Sequence, residues 1–317
     1  MINSFLIFPL YSIFNITKYL SFANYLPSLS SFSIIFIMVF MKKVISFASD
    51  FGLEDGSVGI CKGVISRIDP ELQVIDLSHD IPPQNLKYAS LLLMRSIQYI
   101  PEGVLLAVID PGVGTDRKAI GIETDWGVMI GPDNGLLNLA CATVGGAKKA
   151  FELSNENWVI PHKGDTFHGR DKFSPFAAGY ASGQLKIEDF GEELELENLT
   201  QYFLPLTETE NDNIKGEIIW IDHFGNSQTN ISPEELANLN ISIGDDILIK
   251  FNGQNFETTW CSNFQAPYKG SFGLFTDSWG MLSIFIKQGN AATLIDLKEG
   301  LKLEVSKRDS KKLKIQI

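Results

Sequence analysis

Cysteine is scarce. Cys61, Cys141 and Cys261 stand far apart in a chain of 317 residues, and no two form a CxxC pair. That excludes a disulfide framework and a thiolate zinc site, and it suits a reducing cytoplasm. Basic residues are also few, with 26 Lys and Arg against 38 Asp and Glu and a formal charge of −12. This balance argues against tracking of nucleic-acid phosphates or binding to an anionic membrane. The phosphate-binding spacings GxGxxG and GxxxxGK[ST] are missing, as are the zinc spacings HExxH and HxxEH, so neither a nucleotide cradle nor a zinc-peptidase site is supported. At 44% hydrophobic and 20% charged residues, the chain is neither disordered nor collagen-like.

Charge is nearly absent from the beginning of the chain. Lys18 is the single charged residue of Met1–Met41, and 10 of the 35 aromatics gather there. A secretory leader needs a basic start and a small-residue cleavage site, and neither is present. Asn24, Pro27 and five serines from Ser21 onward interrupt the run of about 20 apolar residues that a membrane span requires. Residues 1–41 are therefore expected to be an over-extended reading frame with Met41 as the true start; the rival expectation is a weak membrane anchor.

Beyond this segment, short apolar runs alternate with amphipathic stretches of helix length. Val44–Ala48, Gln73–Leu77 and Val104–Ile109 are continuous and rich in Val and Ile, which predicts buried strands. Ser57–Ile68 and Leu86–Ile100 predict helices, the second bracketed by Pro82-Pro83 and Pro101. This order predicts parallel β-α-β units. Further strands are expected at Ala119–Glu123, Val128–Ile130 and Lys149–Leu153, and a helix at Lys172–Ser182. Residues 184–213 hold nine acidic side chains and one basic one, which predicts a solvated connection. It separates an N-terminal α/β domain (42–183) from a small β-rich domain (214–317). In the latter, strands are expected at Gly216–Ile221, Asp246–Phe251, Met281–Ile286 and Leu301–Val305. Ser232-Pro233-Glu234-Glu235 there reads as a capping box.

Four glycine-flanked polar clusters hold the candidate chemistry. In Ser49 to Ser57, Asp50 follows the first strand directly, at the carboxyl end of a parallel sheet where open α/β folds place ligands; the structural alternative is a helix cap. In Ile109 to Arg117, the Pro-Gly-Val-Gly turn lets the backbone double back so that Arg117 can face Asp110; the alternative is a surface ion pair of little worth. Asp165-Thr166-Phe167-His168-Gly169-Arg170-Asp171 reads as a binding loop, although a lone His often serves a structural hydrogen bond. Arg170 and Asp171 are expected to pair with each other or to cap the next helix. The fourth cluster is Trp220 to Asn226, joined by Ser278-Trp279-Gly280, where Asx turns are the alternative.

Together these clusters resemble a known family. Ser49-Asp50-Phe51-Gly52, Asp76-Leu77-Ser78-His79-Asp80-Ile81-Pro82-Pro83, Asp110-Pro111-Gly112-Val113-Gly114, Pro132-Asp133-Asn134-Gly135-Leu136-Leu137, Thr166-Phe167-His168-Gly169-Arg170-Asp171 and Asp222-His223-Phe224-Gly225-Asn226 occur in one order from about Lys43 to Val305. The series is similar to that of the S-adenosyl-L-methionine hydroxide adenosyltransferases, relatives of fluorinating and chlorinating enzymes that use the same substrate. The resemblance implies an N-terminal α/β domain with a mostly parallel sheet, a C-terminal β-barrel and a homotrimer with substrate at the contacts between subunits. It also implies a catalytic set Asp110, Arg117 and His168, and a ribose-binding Asp50. Contacts to the methionine and adenine portions fall at Asp55, Ser57, Asp222, Asn226 and Ser278, with backbone contacts near Ile286. Halogenating relatives replace the His-Gly pair and lack the Asp at position 110, so Asp110 and His168 place this chain on the water-using branch. Ser283 departs from the Glu that many members carry there, at an adenosine-side contact.

The implied reaction is attack of water on ribose C5′, giving adenosine and L-methionine. A sulfonium leaves as a neutral thioether and needs no general acid. The nucleophile is the difficulty, because bulk water has a pKa of about 15.7. A guanidinium stays charged and cannot be the base, but it can stabilise a developing hydroxide. An imidazole is the natural proton acceptor near neutral pH, and Asp110 can orient Arg117 or the water. No metal or redox cofactor is required. The rival readings are a metal-dependent hydrolase with Asp50, Asp110, His168 and Asp222 as ligands, a non-catalytic S-adenosylmethionine or adenosine sensor, and a halide-using enzyme.

Overall fold

The computed structural model describes residues 44–161, 163–264 and 271–308. The apolar segment 1–41 lies outside the described residues. The chain divides into two compact units, with the boundary between Tyr202 and Phe203.

The first unit is built on a seven-stranded sheet. Its strands are β1 (Val44–Ser49), β2 (Val74–Ser78), β3 (Gly103–Val108), β4 (Ala119–Glu123), β5 (Gly127–Pro132), β6 (Lys149–Glu152) and β7 (Glu193–Leu194), in the order β2-β1-β3-β5-β4-β6-β7. The pairings of β1 with β2, β1 with β3 and β3 with β5 are parallel. Those joining β4 to β5 and β6, and β6 to β7, are antiparallel. Both faces of β3 are buried, which explains its unbroken run of apolar residues. Val104, Leu106 and Val108 pack with helices α1 (Ser57–Ile68) and α4 (Ser174–Ala181), whereas Leu105 and Ala107 pack with α2 (Leu86–Ser96) and α3 (Asn138–Thr143). The Asn85 side chain caps α2 by accepting from the Tyr88 amide at 3.0 Å. This helix ends at Ser96, short of the expected Ile100, because its apolar periodicity breaks at the exposed pair Gln98-Tyr99.

The acidic stretch 184–213 is shared between the units. Leu185, Ile187 and Phe190 are buried in the first core, and β7 pairs with β6. Past the boundary, β8 (Glu208–Glu210) pairs with β9 (Asn213–Ile221). Its acidic side chains face solvent and Leu185, Ile187 and Phe190 are drawn into packing, whereas Phe203 and Leu206 stay exposed.

The second unit is a closed barrel. Strands β10 (Ser227–Thr229), β11 (Asp246–Phe251), β12 (Gln254–Cys261), β13 (Phe272–Thr276), β14 (Leu282–Ile286) and β15 (Lys302–Lys307) run in the order β10-β14-β13-β12-β11-β15-β9. A β10–β9 pairing closes the ring, and β8 adds to it from outside. Closure removes sheet edges. Ile214, Ile218, Ile247, Ile249, Leu274, Ile284, Leu303 and Val305 fill the interior. The capping box opens α5 (Pro233–Asn238) as expected: Ser232 Oγ accepts from the Glu235 amide at 3.3 Å, and Glu235 Oε2 accepts from the Ser232 amide at 2.7 Å.

All three cysteines are free. Burial pushes the Cys61 and Cys141 thiols up to about 11, which withholds the reactive thiolate. Iodoacetamide at pH 8 is therefore expected to modify at most the half-buried Cys261 in the folded protein, and all three cysteines after denaturation. Rapid native labelling of Cys61, followed by peptide mass spectrometry, would contradict this packing.

Candidate active site

Parallel pairing of β1 with β3 sets Ser49 beside Val108. Asp50 and Asp110, just beyond, therefore leave the same carboxyl edge of the sheet on neighbouring strands. Asp50 Oδ2 accepts from the Gln84 amide at 2.8 Å. In the β1–α1 turn, Asp55 Oδ1 accepts from the Ser57 amide at 2.9 Å. That bond, with help from the Ser57 hydroxyl, holds the exposed Asp55 carboxyl below the ordinary carboxylate range.

After Asp110 the chain folds back through two tight turns, with Val113 N donating to Asp110 O and Thr115 N to Gly112 O, both at 3.2 Å. Gly114 sits at φ +78°, and a Cβ there would come within 3.0 Å of the Asp165 carbonyl, so glycine serves both the turn and the loop contact. Arg117 is thereby returned onto Asp110. Its Nε donates to Asp110 Oδ1 at 2.9 Å, and its Nη2 donates to Oδ2. Only 8% of the Arg117 side chain and 6% of the Asp110 side chain are exposed. The pair is buried, which removes the surface-ion-pair alternative. Burial pushes the Asp110 carboxyl above its ordinary range, against the opposing pull of Arg117 and His168.

His168 completes the cluster, just before a π turn at Gly169–Phe173. Arg117 Nη2 lies 3.2 Å from His168 Nδ1. A guanidinium can only donate, so Nδ1 is the acceptor and the ring proton resides on Nε2. That nitrogen lies 2.6 Å from Asp165 Oδ1 and donates to it. The Phe173 ring lies 5.6 Å from the guanidinium carbon and 6.3 Å from the imidazole centroid. Arg117 Nη1 is buried and has no hydrogen-bond partner among the described residues. An unsatisfied buried donor costs about 1–3 kcal/mol, a feature common where a site must receive a polar ligand.

The Asp50 and His168 loops touch. A Cβ on Gly169 would lie 2.8 Å from the Phe51 ring, which meets Phe167 edge-on at 5.7 Å. Arg170 and Asp171 pair with each other at 2.6 and 2.9 Å, one of the two expectations for them. Beneath Asp50 lies a network that sequence reasoning missed. The buried His79 has Nδ1 2.7 Å from Ser49 Oγ and Nε2 3.1 Å from Asp76 Oδ1, and its carbonyl accepts from Gly52 N at 2.8 Å. Although the residue types are those of a nucleophilic triad, Ser49 is fully buried and cannot meet a substrate. The network braces the Asp50 loop instead.

In the second unit, Asp222 closes an Asx turn. Its Oδ1 accepts from Phe224 N and Asn226 N at 2.9 and 2.8 Å, and its Oδ2 accepts from Asn226 Nδ2 at 2.7 Å. A hollow of about 170 Å³ is lined by Asp222, Asn226, Asp277, Ser278, Trp279 and Ser283, among others. Asp277, also unforeseen, organises its wall by accepting from Trp279 N, Ser283 Oγ and Gln228 Nε2. Ile286 is buried in the barrel, and its carbonyl accepts from Gly289 N at 3.0 Å. Among the described residues, no three His, Cys, Asp or Glu side chains gather in a way that could hold a metal ion. No helix among them is long and apolar enough to cross a membrane.

Fold and site define a class: a two-unit chain in which the parallel strands of the first sheet end on a buried carboxylate–guanidinium–imidazole cluster and a closed barrel follows. The models of the SAM hydroxide adenosyltransferase N-terminal domain and C-terminal domain match residues 45–191 and 216–304. The chain belongs to the SAM hydroxide adenosyltransferase family. It is 37% identical over 262 residues to a Salinispora tropica protein named (R)-S-adenosyl-L-methionine hydrolase, covering 83% of this chain and 97% of that one. A fluorinase from Actinopolyspora mzabensis is more distant, at 25% identity over 84% of this chain and 98% of its own. The crystal structure of a conserved Thermotoga maritima protein superposes with a TM-score of 0.76 at 32% identity, over 83% of this chain and all of that one.

Proposed function

We propose that the protein hydrolyses S-adenosyl-L-methionine to adenosine and L-methionine by attack of water on ribose C5′. The observation that carries this reading is the buried Arg117, held by Asp110 and His168 with Nη1 unpartnered among the described residues. Water held at Nη1 faces a fixed positive charge that favours hydroxide, in a site where low dielectric strengthens the effect. His168 Nδ1 takes the proton as the new O–C5′ bond forms, and Arg117 Nη2 gives up its bond to Nδ1 while keeping the one to Asp110. The C5′–S electron pair leaves with sulfur, which departs neutral, so the leaving group calls for neither a metal nor an acid.

Asp50 accepts from the ribose hydroxyls. Asp55, Ser57, Asp222, Asn226 and Ser278, with backbone near Ile286, hold the methionine and adenine portions. A surplus of carboxylates suits a substrate carrying sulfonium and ammonium charges. The working form is a homotrimer with sites at subunit contacts, in the cytoplasm.

Incubation of the purified protein with S-adenosylmethionine is expected to yield adenosine and methionine in equal amounts. Addition of chloride or fluoride is expected to give no 5′-halo-adenosine, and chelator dialysis to leave turnover intact. Tight binding without turnover would replace this reading with that of a sensor. Activity lost to chelation and restored by a divalent cation would replace it with that of a metallohydrolase.

A further inference from the structure

We propose that Asp165 is a positioning residue of the reaction, fixing which nitrogen of His168 bears the proton and stabilising the imidazolium that forms. The inference rests on the hydrolytic reading above and adds a fourth member to the Asp110, Arg117 and His168 set.

A neutral imidazole has two tautomers. With Arg117 Nη2 at 3.2 Å from Nδ1, the Nδ1–H tautomer would set two donors face to face. The acceptor-only carboxylate of Asp165, 2.6 Å from Nε2, favours the other tautomer, in which the Nδ1 lone pair accepts from Arg117 in the resting site and takes the water proton once Nη2 turns away from it. Charge arithmetic points the same way. With Asp110 and Asp165 ionised, Arg117 charged and His168 neutral, the cluster carries −1, which suits a sulfonium substrate. When His168 takes the proton the cluster becomes neutral. Without Asp165 that state would carry +1, with imidazolium beside guanidinium in a buried site.

The groups facing His168 are Asp110 and Arg117 from the β3–β4 loop, Asp165 from its own loop and the Phe173 ring. Arg170 and Asp171, which follow it, are taken up with each other. The loop itself is fixed where the Asp165 carbonyl abuts Gly114.

Two readouts separate positioning from folding. Asp165→Asn keeps the shape but loses the charge, and it is expected to lower kcat on the order of 10-fold or more with little change in KM, by analogy with other His-orienting carboxylates. Asp165→Glu is expected to restore part of the lost kcat. Independently of turnover, ¹⁵N-histidine NMR, with the resonance assigned through His168→Asn, is expected to show the Nε2–H tautomer in the wild type and its loss of dominance in Asp165→Ala. An unchanged kcat in Asp165→Asn, or an Nδ1–H tautomer in the wild type, would overturn the proposal. If the wild type forms no adenosine while the Nε2–H tautomer is present, the hydrolytic reading fails and the structural assignment of Asp165 stands.

Discussion

Replacement of Arg117 by alanine lowers turnover by about 10²–10³-fold, the usual cost of removing a preorganised donor at a site of developing charge, while substrate affinity changes far less. Arg117 touches both other members of the set, so its loss removes the charge that favours hydroxide and leaves Asp110 buried without its partner. His168→Ala is expected to fall in the range of about 10²–10⁴-fold typical of a lost general base. Asp110→Ala is expected to lower kcat as well, because it frees the guanidinium that Nε and Nη2 now anchor. Arg117→Lys keeps a charge but not the planar fork that spans a carboxylate and an imidazole, so it should recover little. Steady-state kinetics on the three alanine variants check this. Near-normal kcat in all of them would remove the proposed mechanism.

Phe173→Ala destabilises the protein by about 3–5 kcal/mol, the range for deletion of a buried aromatic ring. Against the 5–15 kcal/mol by which whole proteins are stable, that is a large fraction. The ring is fully buried in the core formed with α1 and α4, and it also forms a wall beside Arg117 and His168. Turnover should therefore fall even where the variant remains folded. Phe173→Leu retains most of the packing and should cost much less. Urea unfolding of the three proteins decides the matter. A loss below about 1 kcal/mol in Phe173→Ala would mean that the ring is not packed as described.

The continuous apolar runs of β1 and β3 were legible in the sequence because burial on both faces leaves no alternation, whereas β2, expected to be buried, lies at the sheet edge and is only half-buried. The barrel was partly legible. Strand β12 alternates exposed Glu257 with buried Thr258, a weak apolar signal, and β10 is only three residues long, so neither announced itself. At the site, the Pro-Gly-Val-Gly turn foretold that Arg117 could return to Asp110, since both lie in one nine-residue segment. The partnership with His168 spans 51 residues and rested on family resemblance. The Ser49–His79–Asp76 brace spans 30 residues between Ser49 and His79, and although Asp76 and His79 are three residues apart, nothing local ties them to Ser49. Asp165 stood within a recognised cluster, yet its role depends on which ring nitrogen Arg117 occupies, a fact of geometry alone.

The central claim is that the fourth substituent on C5′ of the product comes from solvent. Turnover of S-adenosylmethionine in ¹⁸O-water, followed by mass spectrometry of the adenosine, tests it directly. One ¹⁸O atom at the 5′ oxygen of each adenosine formed is the predicted result; adenosine whose 5′ oxygen carries no label would contradict the account.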